Sequence, residues 1–425
     1  MVELKIIVKI AKFNIFQSNK ETWAIKLKII KKEQEMNRLL RIGFDTLVTS
    51  VTPILGWFLL GILVDKNLIN IFSLIYPTQF IITAIQSVFG TGANISAIKD
   101  KNENSIFSGV VLGAGTGLII LGSIAINIDK YISFMNMDID TYKIFGVYAV
   151  IQMFFQLLLK LSLCKLYFEK ENKRANKYSL LFNLINFLSL IVMSIITKEQ
   201  MKIVMVSLIC TSIFVIIMMS RTIEKTKFGI NIINCIKYDS VDLFAEISMF
   251  IIYLFGFKNS FDFGEKYILA ISFGTLITDT QWDISDAIKT VAQIDIAKKE
   301  FSYKEHMKNS RKLVWLLIIS SIIMWIILYP FYKVDIIATL IIVGIELICM
   351  YLYPVYITKL TFVQMEYSAM KATISKQIAN TLRIFCSFIA SPFCTSIGLA
   401  VSAIYQLVSM QYIISKNKLN MEMKL

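Results

Sequence analysis

Apolar residues along this chain come in unbroken runs of about 20, long enough to cross a hydrocarbon core as helices, with short charged breaks between them. The runs do not alternate in polarity, which argues against a membrane β-barrel. Their positions predict twelve transmembrane helices near residues 43–64, 68–98, 106–128, 143–164, 178–197 and 203–220, then 238–257, 267–296, 313–332, 336–358, 375–393 and 395–414. The expected fold class is therefore an all-α polytopic membrane protein. Twelve is even, so both termini should lie on one side.

The spans also repeat. The first, second, fourth and sixth begin about 195 residues before the seventh, eighth, tenth and twelfth, with a basic stretch at 221–237 between the sets. An even number of spans per repeat gives halves of the same orientation, related by an axis along the membrane normal, with substrate bound between them near the midplane. The expected organisation is a basic N-terminal extension (1–36), a six-helix bundle (37–220), a cytoplasmic linker (221–237), a second, pseudo-symmetric six-helix bundle (238–415) and a cytoplasmic tail (416–425).

Composition agrees with this pattern. Of 425 residues, 56% are hydrophobic and only 17% charged, below the quarter or so of a soluble domain. The net charge of +14 could suggest nucleic acid, but the basic residues gather in alternate loops, as the positive-inside bias requires. That assignment leaves Lys66, Lys130, Lys143, Lys198, Lys202, Lys258, Lys266 and Lys333 outside and Lys160 and Lys289 within spans. It predicts a cytoplasmic (inner) membrane protein with both termini cytoplasmic and no nucleic-acid partner. Residues 1–35 contain IKLKIIKKEQE and no small-residue cleavage site. They read either as an amphipathic helix on the inner leaflet or as an extension upstream of a start at Met36. The six cysteines show no paired spacing, and the single histidine, His306, lies in a basic loop, so a disulfide framework and a histidine metal site are both disfavoured.

Ionisable residues inside spans carry the candidate chemistry. Each costs about 2.5–3.5 kcal/mol at the centre of a lipid-facing helix, so they are expected to face a polar interior. In YDSVDLFAEISMF, Asp239, Asp242 and Glu246 share one helical face; in TLITDTQWDISDAIKT, Asp279, Asp283 and Asp286 share another. Glu246 lies about 12 Å and Glu346 roughly 15 Å into their spans, both near the midplane. Asp279 falls somewhat below Glu346, and Asp283 and Asp286 approach the cytoplasmic face. Blander roles compete: Asp239 as a helix cap, Asp286 with Lys289 as a surface pair, and Lys160 reaching the lipid headgroups. The N-terminal spans carry amides instead (Gln79, Gln86, Asn94, Gln152, Gln156, Asn183 and Asn186), which more often bond helix to helix than bind a ligand. Pro53, Pro77 and Pro354 should bend their helices, and Gly113, Gly115 and Gly117 allow close helix approach.

The stretch TPILGWFLLGILVDKNLINIFSLIYPTQFIITAIQSVFGTGANISAIKDKNENSIFSG resembles the opening of multidrug and toxic compound extrusion (MATE) transporters, within the wider multidrug/oligosaccharidyl-lipid/polysaccharide exporter superfamily. The residues that carry it are Pro53, Asp65, Tyr76 with Pro77, and Gly90, Gly92 and Ala93. The loop after Ala93 departs from the family's Gly-rich turn by reading KDKNENS. In length and layout the resemblance extends over residues 37–415. It implies two bundles around a central cavity and export driven by Na⁺ or H⁺. It also implies acidic residues on the seventh and tenth helices, which Glu246 and Glu346 match. Some members place an Asp within the first helix; Asp45, near the inner end here, is a weak match.

The resulting expectation is a secondary-active exporter of organic cations or drug-like compounds in exchange for Na⁺ or H⁺. Glu246, Glu346, Asp279 and Asp283 would bind cation or substrate, with Na⁺, if used, at Glu246 and Glu346. Asp242, Asp45, Gln152 and Gln156 would be accessory. No cofactor beyond the coupling ion is expected, the partners being a cationic small molecule and the bilayer, and a monomer suffices. Alternatives are a flippase for lipid-linked saccharides, which would need a basic cavity lining, or a dedicated exporter of one peptide or metabolite. No GxxxxGK[ST] motif and no nucleophile–base constellation is present, so neither ATP-driven pumping nor enzymatic chemistry is expected.

Overall fold

A computed structural model describes residues 55–421, apart from Lys170, Lys298, Glu300 and Asn420. Among these residues the secondary structure is helical. Helix α1 covers 55–63 of the described chain, and a short 3₁₀ turn, Lys66–Ile69, leads into α2 (Asn70–Gln86). After a π-helical turn, Ser87–Gly92, come α3 (Ala93–Lys99), α4 (Asn104–Ile126), α5 (Ile128–Phe134), α6 (Ile139–Phe168), α7 (Asn172–Ile196) and α8 (Gln200–Thr222). The second half comprises α9 (Ile232–Phe261), α10 (Glu265–Ala297), α11 (Tyr303–Tyr332), α12 (Ile336–Glu366), α13 (Ala369–Ser387) and α14 (Cys394–Lys416).

Nine segments of the described residues are long and apolar enough to cross a membrane. They are Lys66–Ala97, which joins α2 to α3, and α4, α6, α7, α8, the later part of α9, α11, α12 and α14. Two further long helices, α10 and α13, are not among them, because polar residues interrupt their apolar stretches. The chain is a multi-pass membrane protein. Its apolar side chains point outward as well as inward: Ile209, Ile213 and Ile216 on α8 and Ile319, Ile322, Ile323 and Ile326 on α11 are all exposed. Such surfaces suit lipid and would be a liability in water.

Local chemistry sets several boundaries. Asp65 accepts from the Asn67 backbone N–H at 2.8 Å and caps the 3₁₀ turn. Asp335 caps α12 by accepting from the Ala338 N–H at 2.8 Å, and Ser368 caps α13 from Lys371. The eleventh predicted span, 375–393, is displaced: α13 ends at Ser387, and the non-helical stretch to Phe393 contains Ser391–Pro392, where proline disfavours helix at the residue before it. Pro77 and Pro354 lie inside α2 and α12, as the sequence predicts. Pro53 lies outside the described residues.

Packing is uneven along the helices. One hydrophobic core joins the two halves: Trp57, Phe58 and Leu60 of α1 and Phe145 of α6 share it with Phe257 and Phe261 of α9, Phe273 of α10 and Tyr332 of α11. Most of these lie toward the helix ends that the charge pattern assigns to the outside. There, Gly61 lets Tyr332 come against α1, since a Cβ at residue 61 would collide with the phenol, whose hydroxyl donates to the Phe58 carbonyl at 2.5 Å. Toward the opposite ends the halves keep separate cores, one of α6–α8 residues such as Leu159, Phe182 and Met218, the other of α10–α14 residues such as Val291, Leu317 and Tyr353.

Candidate functional site

Helix α2 is the partition between the halves. It packs on α6 from its own half and on α9 and α10 from the other. Its aromatic face stacks across this boundary: the Phe80 ring lies parallel to Tyr253 of α9 at 5.3 Å, and Tyr76 meets Tyr253 edge-on at 4.8 Å. The Tyr76 hydroxyl donates to Asp279 Oδ1 of α10 at 2.6 Å. A tyrosine of the first half thus holds a carboxylate of the second.

A cavity of about 530 Å³ opens beside this contact, large enough for a drug-sized molecule. Its wall includes Trp57 of α1, Tyr76, Gln79 and Phe80 of α2, Gln152, Gln156 and Lys160 of α6, Asn183 and Asn186 of α7, Glu246 of α9 and Asp279 of α10. Of the predicted site residues it therefore gathers Glu246, Asp279, Gln152 and Gln156. It takes most of its wall from the first half and its two acids from the second. The amides divide. Gln79, Gln152, Gln156, Asn183 and Asn186 line the cavity, Gln152 and Gln156 as the accessory role expected for them would require. Asn94 instead donates to the Gly90 carbonyl at 2.8 Å, and Gln86 meets the Cys164 sulfur at 3.5 Å. Lys160 lines the cavity too, which replaces the expectation of a headgroup-seeking side chain.

Glu346 is placed elsewhere. Its Oε2 accepts from the Thr278 hydroxyl at 2.6 Å and from the Trp282 indole N–H at 3.2 Å, so it is clasped between α10 and α12 and is not among the cavity-lining residues. The two midplane glutamates do not share one lining. Asp45 lies outside the described residues, and so do the side chains of Asp242 and Asp283, along with those of Asp239 and Asp286.

Two residues escaped the sequence reading. Tyr76 entered only as half of a Tyr-Pro pair, with nothing to indicate that its hydroxyl reaches a carboxylate 203 positions away. Arg383 was left out of the basic residues placed within spans, although it falls inside the predicted span 375–393; it lies within α13 and is 8% exposed. This corrects the statement that only Lys160 and Lys289 occupy spans. Its guanidinium donates to the Tyr253 hydroxyl at 3.2 Å, and its charge acts on Glu346. The signal was available: an arginine in the middle of IANTLRIFCS is an ionisable residue inside a span.

No family model matches the sequence, and no curated protein matches it. Solved structures do. An inward-facing MATE transporter of the MOP superfamily superposes with a TM-score of 0.64 at 13% identity, over 90% of this chain and 99% of that one. The chain has the MATE fold. An outward-facing MATE transporter matches at a TM-score of 0.60 and 13% identity, over 90% of this chain and 97% of that one. A MOP-superfamily transporter from Pyrococcus furiosus Vc1, whose binding pocket is reported to have reversed polarity suggestive of a different function, matches at 0.59 and 14% identity, over 91% and 97% of the two chains. At these identities the likeness is one of fold.

Proposed function

We propose that the protein is a secondary-active transporter that exports organic cations or drug-like compounds in exchange for Na⁺ or H⁺. In this reading twelve helices form two six-helix bundles in the cytoplasmic membrane, with both termini cytoplasmic and a monomer as the working unit. The observation that carries it is the presence of Glu246 and Asp279, from two helices of the second half, in one cavity whose wall otherwise combines aromatic, amide and aliphatic side chains with one lysine, Lys160. A carboxylate next to aromatic faces is a cation site by elementary electrostatics. The outward-facing and inward-facing MATE structures that share the fold supply the two arrangements an exchanger needs. Glu246 and Asp279 would hold a proton or Na⁺ in one arrangement and yield to the organic cation in the other. Glu346, clasped by Thr278 and Trp282, would fix the shape of the second bundle or hold a coupling ion there. The flippase alternative gains nothing from the wall, where the two acids outnumber the one basic side chain, Lys160.

Proteoliposome efflux of ethidium tests the proposal. Under an imposed Na⁺ or H⁺ gradient the intact protein should expel ethidium, and Glu246→Gln and Asp279→Asn should each reduce the rate at least about tenfold, the loss of one strong electrostatic contact. Efflux that both variants retain would end the assignment.

A further inference from the structure

The cavity has two chemically opposite sides. Both carboxylates come from α9 and α10. The facing helices α6 and α7 carry Gln152, Gln156, Lys160, Asn183 and Asn186. An amide can offer either its oxygen or its nitrogen, and neighbours decide which. At Asn186 two buried hydroxyls decide: Tyr148 donates to Oδ1 at 2.5 Å and Ser207 to the same oxygen at 2.8 Å. The oxygen is consumed, and the NH₂ group remains for the cavity that Asn186 lines. Gln152 repeats the arrangement. Its Oε1 accepts from the Thr211 hydroxyl at 3.1 Å, while its Nε2 has no hydrogen-bond partner among the described residues, although the side chain is only 9% exposed. A buried donor without a partner costs about 1–3 kcal/mol, so it marks a place where a ligand acceptor is wanted. Lys160 lies two helical turns from Gln152 on α6, on the same face, and adds a positive charge to this donor wall.

We infer that the cavity takes an amphoteric ligand, with a protonated amine toward Glu246 and Asp279 and a carboxylate toward Gln152, Asn186 and Lys160. A simple organic cation satisfies one side only and leaves Gln152 Nε2 without an acceptor. This inference builds on the cation-site reading above and adds a second recognition element to it.

The test is binding to the full chain in detergent, followed as a ligand-induced rise in melting temperature. The probes are phenylalanyl-alanine, its C-terminal amide (amine only), its N-acetyl form (carboxylate only) and ethidium. The zwitterion should bind about tenfold more tightly than either singly charged form, the effect of one satisfied charged contact. In Asn186→Leu, Gln152→Leu and Lys160→Met, the preference for the zwitterion over the amide should shrink to under about threefold. Lys160→Met stands apart from the Tyr148–Ser207 network, so at least one variant leaves that packing intact. An amide that binds as well as the zwitterion overturns the inference. So does binding of ethidium with no binding of any peptide form, an outcome that leaves the cation reading standing. Binding of the zwitterion with no Glu246-dependent binding of ethidium supports the inference and removes the simple-cation reading instead.

Discussion

Glu246 and Glu346 look alike in the sequence, each a carboxylate near the middle of an apolar run, and the molecule treats them in opposite ways. Glu246 faces a cavity shared with the other half of the protein. Glu346 is held by two side chains one turn apart on α10, with Arg383 acting on it from α13. The first lines that cavity beside Asp279. The second joins three helices of one half. Position along an apolar run therefore does not separate a cavity-lining carboxylate from one clasped between helices.

The largest effect that would sharpen this contrast is on stability. Glu346→Ala should lower unfolding stability by about 2–3 kcal/mol, since it strands the Trp282 donor, removes the Thr278 bond across helices and leaves Arg383 with less compensation, and Glu246→Ala should cost less. Melting temperatures of the two purified variants check this, and equal losses would erase the distinction. Next comes coupling. Arg383→Leu in an already altered Glu346→Gln background should cost about 1 kcal/mol less than in the intact protein, because the charge it served is gone; additive losses would separate the two residues. Smaller still, Tyr76→Phe removes one hydrogen bond to Asp279, worth about 1 kcal/mol, and should change apparent ethidium affinity roughly fivefold with the fold intact. An unchanged affinity would make that contact a feature of packing alone.

The smallest effect lies far from both carboxylates. Asp138 precedes α6 and accepts from the Thr141 N–H at 2.8 Å; bonding to the Thr141 side chain first, then to its backbone, holds the carboxyl below its usual value. A depressed value means stabilisation present above the ordinary carboxylate range and lost as pH falls through the lowered one. Asp138→Ala should therefore slightly flatten the acid limb of the melting-temperature profile and leave ethidium binding untouched.

How much of this was legible beforehand depends on the distance over which each feature is determined. The bounds of α10, 265–297 against an expected 267–296, follow from a local alternation of charged breaks and apolar residues. So does the grouping of Asp279 with Glu246 as interior acids, since the cost of lipid exposure is a property of each residue. The partners were not legible. Thr278 lies 68 positions from Glu346, and Tyr76 lies 203 from Asp279, and no local pattern reports which of many hydroxyls arrives. The amides were undervalued for the same reason: Asn186 bonds Tyr148 and Ser207 on neighbouring helices and also lines the cavity, which no local pattern reports. Arg383 was a different failure: it sits inside the predicted span 375–393, yet it was not counted among the ionisable residues within spans.

The polarity of α10 has a consequence for how the protein is made. Helix α10 carries Asp279, Asp283, Asp286, Lys289 and Asp295 along one continuous helix. In a twelve-helix arrangement these charges make release of α10 alone into lipid costly, and α12 supplies the Glu346 carboxylate that Thr278 bonds. Truncation of the chain before residue 336 should therefore leave α10 poorly inserted and open to quality-control proteolysis.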